Sequence, residues 1–175
     1  IIENKATDSA KVNVNSDSIQ AALTKNEYGR YANSLQGNIE FEKLENELLT
    51  ITFSNKGAKP YYANLKDYKT YGQKPLILFA GDSTNFGLLL SEIGKSTNSI
   101  YFKKISNVKT DTATVLTYRL YADSLSYIEY AYSLAPNSYK LNFAINTVGM
   151  SKYIKESRYS LFWESYINSF EKSKK

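Results

Sequence analysis

The sequence predicts an all-β fold, an antiparallel sandwich preceded by a short helix. Short stretches alternate between apolar and polar residues, as strands buried on one face do. Sixteen tyrosines and eight phenylalanines in 175 residues favour strands, because aromatic side chains suit a pleated, half-buried surface. Successive strand-like stretches are separated by turn residues without a βαβ rhythm, which indicates antiparallel connections.

The chain opens with a polar stretch and a predicted helix. Residues 1–16 show no sustained periodicity and are interpreted as a flexible tether. The helical segment spans 17–36, with Asp17 as N-cap and Gln20 completing a capping-box pattern. Gly29 interrupts its apolar stripes, and Gly is unfavourable by about 1 kcal/mol relative to Ala inside a helix. We expect this helix to cover one end of the sheet, with a partner-binding surface as the alternative.

The sandwich is predicted over residues 37–175. Its first strand places Ile39 and Phe41 inside and the carboxylates Glu40 and Glu42 outside. Paired carboxylates are the groups that glycosidases use, but regular alternation explains these two better as a solvated face. Gly57 supplies the positive φ of a tight turn after the second strand. The remaining strands are predicted over Leu49–Phe53, Tyr61–Leu65, Leu76–Phe79, Asn85–Leu90, Ile100–Phe102, Ala113–Tyr121, Tyr127–Leu134, Tyr139–Val148 and Tyr159–Trp163.

The tyrosine-rich strands allow two interpretations. Tyr127, Tyr130 and Tyr132 could form cross-strand aromatic pairs, each worth about 0.2–1 kcal/mol. The alternative is an aromatic surface that binds sugar or peptide. A short C-terminal helix is predicted over Glu164–Lys174.

The amino-acid composition excludes several kinds of active site. There is no His, which excludes a Ser-His-Asp triad, an HExxH zinc site and an imidazole base. There is no Cys to form a disulfide or act as a nucleophile. Gly94-Lys95-Ser96 resembles the end of a phosphate-binding loop, but Leu89 stands where that motif needs Gly. The sequence therefore assigns no catalytic, cofactor-binding or metal-binding residue.

The net charge of +5 is concentrated near the end of the sequence. Residues 151–175 hold six basic and three acidic residues, whereas residues 1–35 hold four of each. This distribution is typical of a solvated segment and does not predict nucleic-acid binding. The longest apolar run, Leu76–Ala80, is far shorter than the ~20 residues of a membrane-spanning helix. We expect a soluble chain.

Several segments resemble, in order, the large periplasmic domain of the YidC membrane-protein insertases. The similarity covers roughly residues 40–165. Its segments are Leu44–Leu49, Phe53–Gly57, Leu65–Tyr68, Lys74–Phe79, Asn85–Gly87, Tyr127–Tyr130, Val148–Met150 and the region of Trp163. The resemblance implies a β-supersandwich of galactose-mutarotase-like architecture, on the outer face of the inner membrane, between two transmembrane helices of the parent protein. Partners would be Sec translocon components and nascent membrane proteins.

Two departures from the family pattern are visible. The Gly-Gly often found in the family stands here as Gly57-Ala58. The chain also stops at Lys175, where the family's periplasmic region continues into further strands, so the chain resembles the N-terminal part of that domain. A truncated sandwich would expose a sheet edge and an apolar face. We therefore expect two copies to associate, or a more compact half-domain.

Three hypotheses for function follow. The first is a non-catalytic periplasmic domain of an insertase and chaperone, which supplies scaffold and contacts to partners or nascent chains. The second is a carbohydrate-binding β-sandwich module. The third is an enzyme of mutarotase or lyase type that relies on Lys, Tyr and carboxylates. Mutarotases use His in catalysis, and this chain has no His, so the fold does not carry that activity here. We favour the first, with the partner-binding residues unassigned.

Overall fold

The computed structural model describes residues 16–81, 84–154 and 159–166 and confirms the antiparallel all-β prediction. Helix α1 spans Ser16–Tyr28 and continues as a 3₁₀ helix over Gly29–Leu35. The strands of the described residues are β1 (Phe41–Glu45), β2 (Leu49–Ser54), β3 (Lys59–Lys69), β4 (Pro75–Ala80), β5 (Thr84–Leu90), β6 (Lys95–Ser96), β7 (Lys103–Lys109), β8 (Thr114–Tyr121), β9 (Tyr127–Leu134), β10 (Leu141–Val148) and β11 (Leu161–Ser165).

These strands form three antiparallel sheets. One four-stranded sheet has the order β1-β2-β3-β4, and a second has the order β10-β9-β8-β7. The third sheet, β11-β5-β6, has three strands. Both larger sheets are meanders of sequential neighbours, as the short turns between their strands predict.

The two larger sheets pack through their apolar faces. Leu49, Ile51 and Phe53 of β2 are all buried, as the alternation predicts. Phe53 reaches Tyr132 of the opposite sheet, with ring centroids 4.5 Å apart. Phe86 of the third sheet packs edge-on against rings of β9, β10 and β11, so this sheet closes one flank of the core.

Strand β1 has the opposite orientation to the predicted one. Ile39 and Phe41 are about half exposed, whereas Leu44 is fully buried. Pairing with β2 is the physical reason, because residues directly opposite each other in a sheet point to the same face. Leu44 pairs with the inward-facing Ile51, so Glu42 also points inward, and Phe41 points outward.

Residues 100–109 also differ from the prediction. Ile100 and Phe102 are buried, but the predicted strand is reduced to an isolated bridge at Tyr101. The strand itself is β7, which starts at Lys103 and carries three lysines. Sequence alternation missed it because an edge strand with both faces exposed needs no apolar side.

The described residues test only part of the predictions for the two ends of the chain. Helix α1 begins at Ser16, so Asp17 lies in its first turn and not before it. The change to a 3₁₀ helix falls at Gly29, whose φ is +54°. Glu164 belongs to β11, so the predicted C-terminal helix does not start there. The predicted tether over residues 1–15 and the rest of that helix beyond Tyr166 lie outside the described residues.

The N-terminal helical segment docks on the sandwich through its second apolar stripe. Tyr31 is fully buried and its hydroxyl donates to Glu92 Oε1 at 2.9 Å. The Arg30 guanidinium lies 3.5 Å from the centroid of the Tyr153 ring. The first stripe, which contains Ile19 and Leu23, is about half exposed and does not contribute to docking.

Candidate functional site

Of the two carboxylates that alternate along the predicted first strand, Glu40 precedes β1 and Glu42 lies within it. Lys104 Nζ and Asn107 Nδ2 donate hydrogen bonds to separate oxygens of Glu42. Burial acts to raise the pKa of Glu42, but these hydrogen bonds outweigh it and hold that pKa below its ordinary value. An ionised carboxylate with both oxygens engaged links β1 to β7 and is unsuited to acid catalysis. Among the described residues no three His, Cys, Asp or Glu side chains are grouped to hold a metal ion.

The central tyrosines are interior residues. Tyr130 and Tyr132 are 0% and 1% exposed, so they offer no binding surface. Tyr130 lies opposite Tyr118 in the sheet, which is the cross-strand pairing predicted for these residues. Burial raises the pKa of Tyr130 to about 12. Tyr127 is half-buried, and the Arg119 guanidinium lies 4.1 Å from its ring centroid.

In the described part of the chain an apolar cleft lies between the two large sheets, on the side where β4 and β10 are the outermost strands. Its volume is about 380 Å³. We name it the β4–β10 cleft. It is lined by Leu49, Ile51, Pro60, Ala63, Leu65, Tyr68, Leu78, Phe79, Tyr139, Leu141 and Trp163.

Three large aromatic side chains mark the rim of the β4–β10 cleft. Trp163 is 57% exposed, Tyr68 is 51% exposed and Tyr139 is 46% exposed. The rings of Tyr68 and Tyr139 meet edge to face at 6.1 Å, which joins β3 to the residues just before β10. Trp163 packs edge-on against buried Phe86 on its other side, so its position is fixed by the core.

The lining of the β4–β10 cleft has no acidic or basic side chain. Its side-chain polar groups are the hydroxyls of Tyr68 and Tyr139 and the indole N–H of Trp163. Partial burial and the neighbouring Tyr68 and Asp67 raise the pKa of Tyr139, so its hydroxyl is neutral at physiological pH. Such a surface is suited to hold apolar or aromatic groups, with a few hydrogen bonds at the rim, and not to transfer protons.

Sequence reasoning did not identify this cleft, because its lining comes from five strands and one turn that are far apart in the chain. The inward alternation of Leu49 and Ile51 was visible. No local pattern shows that the second large sheet leaves part of the inner face of the first sheet uncovered. The single tryptophan, Trp163, was the one signal available from composition.

A second aromatic surface lies on the outer face of the first sheet. Phe41 and Tyr61 contact each other there with ring centroids 4.7 Å apart. Tyr62 and Asn64 lie beside them in a shallow depression. The Asn64 Oδ1 atom is buried and has no hydrogen-bond partner among the described residues.

Several curated proteins match this chain in sequence over most of its length. A membrane protein insertase YidC of Bacteroides fragilis strain YCH46 is 35% identical over 146 residues, which is 81% of this chain and 23% of the relative. The YidC of Parabacteroides distasonis is 29% identical over 91% of the chain and 25% of its own length. The YidC of Chlorobium limicola is 29% identical over 97% of the chain and 31% of its own length. The chain thus spans about a quarter to a third of these relatives.

Other comparisons give no match. No family model matches the chain. No solved structure matches it either. Within residues 16–81, 84–154 and 159–166, no helix is long and apolar enough to cross a membrane.

Proposed function

The chain is related by sequence to a segment of the YidC membrane protein insertases, and on this premise we propose that it is the periplasmic domain, or the N-terminal part of it, of such an insertase. In this proposal the domain is anchored to the inner membrane by the parent protein and acts without catalysis. It contributes a scaffold and contacts to membrane proteins during their insertion. Translocon subunits of the Sec system are the second class of partner.

The observation that carries this proposal is the combination of that relationship with the β4–β10 cleft. A membrane protein that has not yet inserted exposes apolar side chains, and a neutral, apolar cleft holds such side chains without desolvating charge. Aromatic residues at a cleft rim add large contact area at low conformational cost. Trp163, Tyr68 and Tyr139 supply that rim.

The proposed absence of catalysis has its own support. The chain has no His, and the cleft lining has no carboxylate or lysine. The inward-facing carboxylate of β1, Glu42, is engaged by Lys104 and Asn107. Activity in a protein of this composition would need carboxylates, Lys or Tyr, and of these the lining of the described cleft offers only Tyr68 and Tyr139.

Site-specific photo-crosslinking of the full-length parent protein in membranes tests the proposal. The probe replaces Trp163, Tyr68 or Tyr139 in turn at the cleft rim. Leu125, which is 78% exposed in the turn before β9, gives the matched control because it lies at the other end of the sheet from Tyr139. We expect discrete adducts with newly made membrane proteins from the rim positions and none from Leu125.

Adducts that form equally from the control, or no adducts from any rim position, would overturn the assignment of partner contacts to this cleft. Adducts with Sec subunits from the rim would identify the translocon as the occupant instead of the nascent chain. Replacing Trp163 with Ala should reduce crosslinking from the neighbouring Tyr139 position.

A carbohydrate-binding module is the second candidate. The outer-face depression with Phe41, Tyr61 and Tyr62 favours it, because aromatic rings on an open surface can stack on the apolar face of a sugar. Saturable glycan binding that is lost in Tyr61→Ala and kept in Trp163→Ala would support this function. If the domain binds none of the glycans tested, the carbohydrate-binding function is excluded.

A further inference from the structure

One side chain ties the two large sheets together at one end of the β4–β10 cleft. Asn46 lies in the turn between β1 and β2. Its Nδ2 group donates to the Ala135 carbonyl at 2.7 Å and to the Ser138 carbonyl at 2.8 Å. Both carbonyls belong to the turn between β9 and β10. We name this pair of hydrogen bonds the turn clasp.

The oxygen of the same amide shapes the turn in which Asn46 lies. Asn46 Oδ1 accepts from the backbone N–H groups of Leu48 and Leu49, each at 2.9 Å. The opposite orientation of the amide would turn its nitrogen towards two N–H groups, so these partners fix which end is which. Only an amide side chain offers acceptor lone pairs at one end and two donors at the other. Asn46 therefore serves both turns at once.

A neighbouring contact reinforces the turn clasp. Glu47 Oε2 accepts from the Asn137 backbone N–H at 3.1 Å. The Lys66 ammonium donates to the Asn46 carbonyl from β3, which attaches the β1–β2 turn to its own sheet. The two turns are thus held together by three hydrogen bonds, two of which come from one amide group.

The turn clasp lies beside residues that line opposite walls of the cleft. Leu49 follows the β1–β2 turn and lines the wall formed by the first sheet. Tyr139 directly follows Ser138 and lines the wall formed by the second sheet. The Tyr139 ring meets the Tyr68 ring of the first sheet edge to face at this end. The turn clasp therefore sets how the two walls approach each other here.

We propose that Asn46 is a positioning residue for partner contacts at the end of the cleft formed by Tyr68 and Tyr139. By fixing the β9–β10 turn against the β1–β2 turn, it holds the Tyr139 ring where an apolar segment of the partner would contact it. Trp163 does not depend on Asn46, because it packs on Phe86 of the third sheet. This inference rests on the proposed function, since it assigns a role within the same cleft.

Two substitutions remove the donor of the turn clasp. Asn46→Asp keeps the oxygen that Leu48 and Leu49 use, but it turns a second oxygen towards two carbonyl oxygens. Asn46→Ser removes the amide without adding charge, and a serine hydroxyl still supports a turn. Gly57→Ala is the matched control, because it strains a turn at the opposite end of β2 and leaves the turn clasp in place.

Two measurements on the full-length parent protein test the proposal. In hydrogen exchange followed by mass spectrometry, we expect the amides of residues 135–140 to exchange about tenfold faster in both Asn46 variants and at the wild-type rate in Gly57→Ala. In photo-crosslinking in membranes, an aromatic probe at the Tyr139 position should give about threefold fewer adducts in both Asn46 variants. A probe at the Trp163 position should give as many adducts as in the wild type.

Unchanged exchange of residues 135–140 in the Asn46 variants, or unchanged adducts from Tyr139, would overturn the proposal. Equal losses from Tyr139 and Trp163, or the same loss in Gly57→Ala, would overturn it as well, because they would show general destabilisation. A loss in Asn46→Asp alone would assign the effect to the new charge and not to the lost donor. Absence of adducts from every rim position of the wild type is a different result, which would overturn the proposed function and this role of Asn46 together.

Discussion

Removing the hydroxyl of Tyr132 should destabilise the fold, because that hydroxyl joins the two large sheets. It donates to the Ala58 carbonyl at 2.7 Å, and both residues are buried. Ala58 lies in the turn between β2 and β3 with a φ of +47°, so the bond also holds a strained turn in place. In Tyr132→Phe the ring remains, but the Ala58 carbonyl loses this partner in the interior.

The magnitude follows from the cost of an unpaired buried group. A buried acceptor left without a partner costs about 1–3 kcal/mol, so Tyr132→Phe should lower the free energy of unfolding by that amount. Tyr118→Phe is the matched control on the neighbouring strand. Its hydroxyl is buried without a hydrogen-bond partner among the described residues. Removing it relieves a desolvation cost, so Tyr118→Phe should be neutral within about 0.5 kcal/mol or stabilising.

Urea denaturation followed by circular dichroism measures both effects. We expect the midpoint to fall for Tyr132→Phe at unchanged slope, and to stay or rise for Tyr118→Phe. Equal losses in the two variants would refute the reasoning, since they would show that the hydroxyl's hydrogen bond does not determine the cost.

Two further predictions concern a turn and a carboxylate. Gly57→Ala should destabilise the fold by about 1–3 kcal/mol in urea denaturation, because φ at Gly57 is +78° and the new Cβ would lie 2.8 Å from the Asn98 carbonyl oxygen. Gly94→Ala is the control, since Gly94 has a φ of +63° but no atom near the position of a Cβ. If Gly94→Ala lost as much stability as Gly57→Ala, the contact with Asn98 would not be the cause of the loss. Hydrogen bonds led by that from the Tyr153 hydroxyl hold the pKa of Asp123 well below its ordinary value, so its stabilisation is present above about pH 4 and is lost as pH falls towards the folded-state pKa. The stability difference between the wild type and Asp123→Asn should therefore shrink between pH 7 and pH 3, and a constant difference would contradict the assigned ionisation.

The meanders could be predicted because their pattern is local. Leu49, Ile51 and Phe53 alternate with threonines, and the structure buries all three. Leu141, Phe143 and Ile145 likewise share the face of β10 that packs against the core. In such strands one face is clearly more apolar than the other, so the hydrophobic effect selects the inward side from the sequence alone.

Strand β1 shows where that reasoning fails. Its two faces both contain apolar residues, with Phe41 on one and Leu44 on the other. The orientation was decided by pairing with β2, where Leu44 lies opposite Ile51. On the outer face, contact with the Tyr61 ring covers part of the Phe41 ring. A pairing partner in another strand is not part of the local pattern.

The sequence by itself determined the fold class, the main strands and the absence of imidazole and thiol chemistry, because composition and short-range periodicity suffice for these. Only the tertiary structure decided that Tyr130 and Tyr132 are buried while Trp163 is exposed at the rim of a cleft. It also decided that β4 and β10, the outermost strands of the two large sheets in the described part of the chain, lie on the same side, where the cleft opens. Both outcomes depend on how the sheets are layered, and layering is fixed by contacts between residues far apart in the chain.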